Sequence, residues 1–222
     1  PLIKRMSDFG KDNLKFIYCS ERIGSTKKKQ EIRRNDNLKS LKILGINRSQ
    51  VLYLNDYLKV EDNILYESSH LIFNFLKGIF DQNFYPQVFT LNFEGGHPDH
   101  DQIAILVNKL KNIYKFNAFY FPAYNSRNTL FIPYSVLRPL KSQENSFIFL
   151  KLNNFCWFRV LLIAFVYSTE RFAFMFLLPT LIYKSIFSKR LIYFQHINLL
   201  SVCWNNSLSY KRYKVKFSDL YV

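Results

Sequence analysis

Residues 88–114 read VFTLNFEGGHPDHDQIAILVNKLKNIY, and this stretch decides the fold class. The first six residues, Val88–Phe93, are rich in apolar and aromatic side chains and predict a short strand. Two glycines then allow the backbone to turn sharply. Beyond them, apolar residues recur at helical spacing through Asp101–Tyr114, which predicts a helix. A strand, a tight loop and a helix in this order are typical of a βα unit in a parallel sheet.

Short strands and longer helices alternate along the first half of the chain. The sequence predicts strands at Leu14–Cys19, Val51–Leu54, Val88–Phe93 and Ala118–Phe121, and helices at Lys28–Leu44 (stopped by Gly45), Ile64–Phe80 and Asp101–Tyr114. This order favours right-handed crossovers and a mostly parallel, Rossmann-like sheet with helices on both faces. Ser146–Leu152 predicts one more strand. We therefore expect one α/β domain over residues 1–222, with 155–222 as a helical and aromatic C-terminal extension.

Composition limits the class of protein. Of 222 residues, 49% are hydrophobic, which is too many for an intrinsically disordered chain. The three cysteines, Cys19, Cys156 and Cys203, show no CxxC spacing, so we expect neither a disulfide framework nor a cysteine zinc site, and a cytoplasmic location is the default. The net charge of +15 suits an anionic substrate, an acidic membrane surface or a nucleic acid. Nucleic acid is the least favoured partner, because no zinc-finger, RNP or basic-zipper pattern accompanies the charge.

The most apolar stretch is Phe155–Phe187, and charged residues at 159, 170, 171 and 184 interrupt it. It therefore lacks the roughly 18 uninterrupted apolar residues of a transmembrane helix. Two interpretations remain open. The stretch forms buried or amphipathic helices, which we favour, or it forms helices that lie against the inner face of a membrane.

The segment Glu94–Asp101, EGGHPDHD, is the strongest candidate for a functional site. It places His97 and His100, two of the four histidines, on either side of Asp99. Imidazole is the usual zinc ligand and the usual acid–base group near neutral pH, and an adjacent carboxylate can fix its tautomer. The alternative is a solvated loop in which Asp99 or Asp101 caps the next helix. The remaining histidines, His70 and His196, are predicted to be structural.

EGGHPDHD, after a strand and at the start of a helix, resembles the second signature of the PIG-L/LmbE-like N-acetylglucosaminyl deacetylases. Further segments resemble the same family in the same order: Leu14–Glu21, Arg33-x-x-Asp36, Leu44-Gly45, Val51–Asp56, Tyr167-Ser168-Thr169-Glu170 and the tail Ser209–Leu220. The resemblance therefore covers most of the chain, and its specific part is HPDH.

The resemblance implies a hydrolase that uses a metal, typically zinc, to remove the acetyl group from an N-acetylated amino sugar in a glycolipid or polysaccharide precursor. It implies that His100 is a metal ligand. It implies that His97 acts as an acid or stabilises the oxyanion, with Asp99 as its orienting partner. Arg33 would bind the sugar or an attached anionic group.

The family draws its other metal ligands and its general base from an AHPDDE-type motif, and this sequence contains no such motif. We therefore expect a chain truncated at its N-terminus that binds zinc weakly, and whose activity in this form stays open, because a catalytic zinc site needs three protein ligands. The alternative is a non-catalytic module that keeps the fold and binds anionic glycans or lipids.

Overall fold

The computed structural model describes residues 14–20, 27–125, 135–136, 148–151, 154–168, 178–179, 182–183, 186–187 and 190–195. The chain divides into two compact units. The first unit comprises Pro1–Lys59 and Lys151–Leu191, and the second comprises Val60–Leu150 and Ile192–Val222. Each unit contains one pair of parallel strands joined through a helix, as the alternating sequence pattern predicts.

In the first unit, β1 (Phe16–Tyr18) pairs in parallel with β2 (Val51–Tyr53), and α1 (Lys27–Ile43) connects them. The helix ends where the sequence predicts, because Gly45 adopts a φ of 82°, which an L-residue with a side chain rarely tolerates. The amide of Ile46 then donates to the carbonyl of Leu41. A buried apolar cluster holds the helix against the strands; its members are Leu41, Leu44, Ile46, Val51 and Tyr53.

The first unit also contains α4 (Asn154–Val166) and two short 3-10 helices, Arg48–Gln50 and Leu54–Asp56, which flank β2. Within α4, the side chains of Trp157 and Ala164 are buried. Ile163 packs against the apolar cluster of α1 and β2. One side of α4 therefore belongs to the core of this unit.

In the second unit, a 3-10 turn (Leu65–Ser68) leads into α2 (Ser69–Gln82), which is followed by β3 (Gln87–Leu91), α3 (Pro98–Tyr114) and β4 (Asn117–Phe121). β3 and β4 pair in parallel over their full length. α3 begins three residues before the predicted Asp101, at a proline, which suits the first turn of a helix because it has no amide hydrogen to satisfy there. The sequence thus predicted the element correctly and its first residue wrongly.

Four further strands are short. β5 (Tyr124–Asn125) and β6 (Ser135–Val136) are antiparallel, whereas β7 (Ile148–Lys151), close to the predicted Ser146–Leu152, pairs with β8 (Arg190–Tyr193). Just beyond β8, Phe194 exchanges two backbone hydrogen bonds with Tyr120 of β4. The α/β class is therefore confirmed. The single domain and the Rossmann-like sheet remain predictions.

Candidate functional site

The HPDH segment lies at the carboxyl end of β3, where parallel strands present ligands: His97 ends the loop after the strand, and Pro98, Asp99 and His100 form the first turn of α3. We call residues 92–101 the histidine loop. Its first residue, Asn92, continues the hydrogen bonding between β3 and β4, because its amide donates to the carbonyl of Phe121 at 2.7 Å. The chain then turns at Gly95, whose φ is 67°. His97 and His100 are thereby placed at the junction between the strand and α3.

Asp101 holds the loop in its turned shape. Its fully buried carboxylate accepts hydrogen bonds from the amides of Glu94 (2.6 Å) and Gly95 (2.8 Å). The prediction that Asp99 or Asp101 caps the helix is wrong, because α3 begins earlier and its N-cap is His97. The carboxylate of Asp101 is instead used within the loop, where burial makes its two hydrogen bonds strong.

Asp99 connects the loop to the chain before α2. One carboxylate oxygen accepts from the amide of Asn63 at 2.6 Å and the other from the amide of Leu65 at 3.2 Å. Burial raises the pKa of Asp99 to about 7; the two backbone hydrogen bonds oppose this shift, and the nearby Asp62 adds to it. Asn63 adopts a φ of 75°, a conformation that asparagine tolerates better than most residues.

His97 is held by hydrogen bonds at both of its ring nitrogens. Nδ1 accepts from the amide of Asp99 at 3.3 Å, and Nε2 lies 3.1 Å from Oδ1 of Asn63. Because Nδ1 is an acceptor, the ring proton belongs on Nε2, from which it is donated to Asn63. Asp99 thus orients His97 through its own amide and through Asn63, while its carboxylate bonds to the backbone at Asn63 and Leu65.

His100 is partly buried, and its ring packs against that of His97 with 4.8 Å between centroids. Desolvation, with a smaller contribution from the nearby His97, lowers the pKa of His100 to about 3. The imidazole is therefore neutral at pH 7, which is the form that binds a metal ion.

The residues of the histidine loop supply only part of the ligand set of a zinc site. His100 supplies one neutral imidazole of the right kind. Within the described residues, however, no group of three His, Cys, Asp or Glu side chains could hold a metal ion. A third carboxylate of the loop, Glu94, accepts from the amide of Ala123 at 2.8 Å. The described residues alone therefore do not form a zinc site.

Arg33 and Asp36 lie on α1, in the first unit. Asp36 is buried, and its Oδ2 accepts from both the amide (2.8 Å) and the hydroxyl (2.9 Å) of Ser168. We call the following residues the Asp36 cluster: Asp36, Asn37, Ser40, Tyr167 and Ser168. The hydroxyl of Tyr167 donates to Oδ1 of Asn37 at 2.7 Å. Arg33 is half-buried, and its charge acts on Tyr167, whose pKa is nevertheless raised, mainly by burial.

A second arginine of α1, Arg34, forms an ion pair that the sequence analysis did not predict. Its guanidinium lies 2.7 Å from Oδ1 of Asp56, the acid that follows β2. The same group sits over the ring of Tyr53 at 4.6 Å, and Tyr18 stacks on that ring with 5.1 Å between centroids.

The other residues that the sequence analysis named lie outside the histidine loop and the Asp36 cluster. His70 lies exposed on α2, where its Nε2 is 3.0 Å from the amide nitrogen of Asn74. Thr169, Glu170, His196 and the tail Ser209–Leu220 lie outside the described residues.

Asn63 is the site residue that sequence reasoning missed. Its only local signal is an Asp-Asn pair in a loop, a common turn sequence that does not identify His97 as its partner.

Comparison of this chain with family models, with curated proteins and with solved structures finds no match. The assignment of function therefore depends on the geometry of the histidine loop and on the resemblance of its motif.

Proposed function

We propose that this chain is a PIG-L/LmbE-like, zinc-dependent hydrolase that removes the acetyl group from an N-acetylated amino sugar of a glycolipid or polysaccharide precursor. One observation carries the proposal. Two imidazoles, His97 and His100, are in contact on a braced loop at the carboxyl end of a parallel strand. Buried carboxylates that bond to backbone amides fix this loop, so the two rings are held in position before a ligand arrives.

A second contact supports the resemblance outside the loop. The Tyr167-Ser168 segment and the Arg33-x-x-Asp36 segment resemble the family separately in sequence. In the first unit they hydrogen-bond to each other through Ser168–Asp36 and Tyr167–Asn37, across 132 and 130 residues of chain. We include a Rossmann-like arrangement of the parallel strands and a cytoplasmic location in this proposal.

His100 is proposed as the zinc ligand that the loop contributes, with the remaining ligands supplied by residues other than those described. A bound zinc ion would supply a water of lowered pKa and would polarise the amide carbonyl. His100 would hold it through a neutral imidazole that needs no deprotonation at pH 7. With a single ligand identified, we expect weak binding of zinc.

Of the two roles that the resemblance leaves open for His97, the hydrogen bonds favour the oxyanion donor. Nδ1 is occupied by the amide of Asp99, so the neutral ring carries its proton on Nε2. A neutral imidazole that loses this proton would become an anion, which makes it a poor acid. As a fixed donor, however, Nε2–H can turn from Asn63 to the oxygen that becomes negative when water adds to the acetyl carbon.

Arg33 is proposed to bind the sugar or an anionic group attached to it, as the resemblance implies. Its half-buried guanidinium on α1 has the fork of donors that suits phosphate and carboxylate groups.

Acetate release from N-acetylglucosamine conjugates in the presence of zinc tests the proposal. At zinc concentrations high enough to overcome its weak binding, the wild-type chain should release acetate, and His97→Gln should lower kcat by about 100-fold or more, with a smaller change in KM, because it removes an oxyanion donor. His70→Gln is the matched control and should behave as wild type. Zinc binding without turnover would replace the enzyme by the non-catalytic module, and equal activity of His97→Gln would refute the role of His97.

A further inference from the structure

α4 exposes a stripe of large apolar side chains. Phe158, Leu162 and Phe165 are 57%, 39% and 68% exposed. They follow one another at spacings of four and three residues, so they lie on one face of the helix. Arg159 is the single ionisable charge in the sequence of this helix, NFCWFRVLLIAFV. Isolated exposed apolar residues are common on proteins, but a contiguous stripe of this kind marks an interaction surface.

The other side of the same helix packs against the core of the first unit. Trp157 and Ala164 are buried, and Ile163 packs against the apolar cluster of α1 and β2. The helix is thus apolar on both sides, a pattern that normally means burial on both sides. The core of the first unit covers one side, whereas the Phe158 side is exposed in the part of the chain that the structure describes.

A second group of exposed apolar residues follows in the same unit. Its members are Ile182, Tyr183, Ile186 and Phe187, with exposed fractions between 40% and 72%. The rings of Tyr183 and Phe187 pack on each other with 5.1 Å between centroids. Apolar exposure in this part of the chain is therefore not confined to one helix.

Charge distinguishes between the possible occupants of this surface. The chain carries +15, and residues 154–190 contain five basic residues and a single acidic one. A second copy of the chain would bring like charge against like charge. An anionic lipid surface offers both the apolar environment and the opposite charge. We infer that the Phe158–Leu162–Phe165 stripe docks on an anionic membrane surface, to which the net positive charge of the same segment attracts the chain.

The size of the helix sets its orientation. Thirteen residues span about 20 Å, whereas the hydrocarbon core of a bilayer is about 30 Å thick. Within the described residues, no helix is long and apolar enough to cross a membrane. In the docked state α4 therefore lies along the interface, with its stripe inserted among the acyl chains. This inference does not depend on the deacetylase proposal.

Flotation of the full chain with vesicles tests the inference. Vesicles of phosphatidylcholine with about one-third phosphatidylserine should bind the wild-type chain at least about tenfold better than phosphatidylcholine alone. Phe158→Ser/Phe165→Ser should lower binding to the anionic vesicles by about tenfold or more, because two aromatic side chains no longer insert. Phe84→Ser is the matched control: Phe84 is 82% exposed but lies in the second unit, so binding should change less than about twofold.

Equal binding of the double variant and the wild type, or equal loss in Phe84→Ser, would overturn the inference. So would a wild-type chain that ignores both kinds of vesicle, or that forms a dimer which the double variant dissociates. Urea unfolding verifies that the double variant is folded. If it is not, the single substitution Phe165→Ser replaces it with the same expected direction, since Phe165 is 68% exposed and belongs to the stripe.

Discussion

Two buried carboxylates have similar bonding but very different partners. Asp101 in the histidine loop accepts from amides six and seven residues away, at Gly95 and Glu94. Asp36 accepts from the amide and hydroxyl of Ser168, which is 132 residues away. Each carboxylate thereby gains two hydrogen bonds that compensate for part of its desolvation.

This difference in the distance along the chain shows what each carboxylate stabilises. Asp101 closes a loop onto itself and fixes the local turn that carries His97 and His100. Asp36 connects the end of α4 to α1 and thereby joins distant parts of the first unit. Removal of Asp101 should therefore damage the candidate site, whereas removal of Asp36 should loosen the attachment of α4.

Asp101→Ala should have the largest effect on stability. Two buried amides, at Glu94 and Gly95, lose a charged acceptor, and we expect a loss of about 4 kcal/mol in the free energy of unfolding. Urea unfolding measures it. Asp81→Ala is the control in the same unit, because Asp81 is exposed and should cost less than about 1 kcal/mol. Equal losses in the two variants would contradict the bracing role of Asp101.

Asp36→Ala should have the next largest effect, about 3 kcal/mol, because Ser168 loses the acceptor of its amide and hydroxyl bonds. Hydrogen exchange of the α4 amides should become faster, since the end of that helix is no longer held. Asp56→Ala, which removes the more exposed ion pair with Arg34, is the matched control and should leave this exchange nearly unchanged. Unchanged exchange in Asp36→Ala would contradict the role of the cluster.

The pH dependence of the free energy of unfolding tests the pKa shifts of Asp99 and His100 in the metal-free protein. Burial raises the pKa of Asp99 from its ordinary 3.8 to about 7, so stability from this group is lost as the pH rises between those values. Desolvation lowers the pKa of His100 from its ordinary 6.5 to about 3, so stability from this group is lost as the pH falls between those values. In the pH range where both groups change their protonation, the effect of Asp99 on stability opposes that of His100.

Single variants separate the two groups. In His100→Gln only Asp99 remains, and stability should fall with rising pH by up to about 1.4 kcal/mol per pH unit, relative to wild type. In Asp99→Asn only His100 remains, and stability should rise with pH by a similar amount. Urea unfolding between the ordinary pKa values of the two groups measures both slopes. Parallel slopes in wild type and both variants would contradict these pKa shifts.

Tyr167→Phe should have the smallest effect. It removes the hydrogen bond from the Tyr167 hydroxyl to Oδ1 of Asn37 and the hydrogen bonds that this hydroxyl shares with Ser40 and Tyr18, and it leaves the ring in place. We expect a loss of about 1 kcal/mol in the free energy of unfolding. Tyr183→Phe, at a position that is 53% exposed, is the control and should be neutral. A neutral Tyr167→Phe would indicate that the Asp36 cluster depends on Ser168 alone.

The local elements were predictable because their signals are local. The helical spacing of apolar residues and the stop at Gly45 indicated α1 almost to the residue. The start of α3 was missed because Asp99 and Asp101 are common caps, whereas here a histidine takes that role ahead of a proline. Composition favours a cap type, but the choice in one chain depends on which side chains the surrounding structure already uses.

The partners of the site residues were not predictable, because they come from distant parts of the chain. The bond between His97 and Asn63 joins residues 34 positions apart. Asp99 and Asp36 bond to backbone amides, which every residue but proline carries, so sequence offers no basis for choosing among them. The motif therefore indicated which residues matter, and only the fold shows how they are held.

The most direct test of the central claim is the zinc dependence of acetate release. The wild-type chain, His100→Gln and His70→Gln are each treated with a chelator and titrated with zinc, and acetate release from an N-acetylglucosamine conjugate is measured. We predict that zinc restores activity to wild type and to His70→Gln, and that His100→Gln stays inactive over the same range. Zinc-restored activity in His100→Gln equal to that of wild type, or no activity in wild type at any zinc concentration, would contradict the claim.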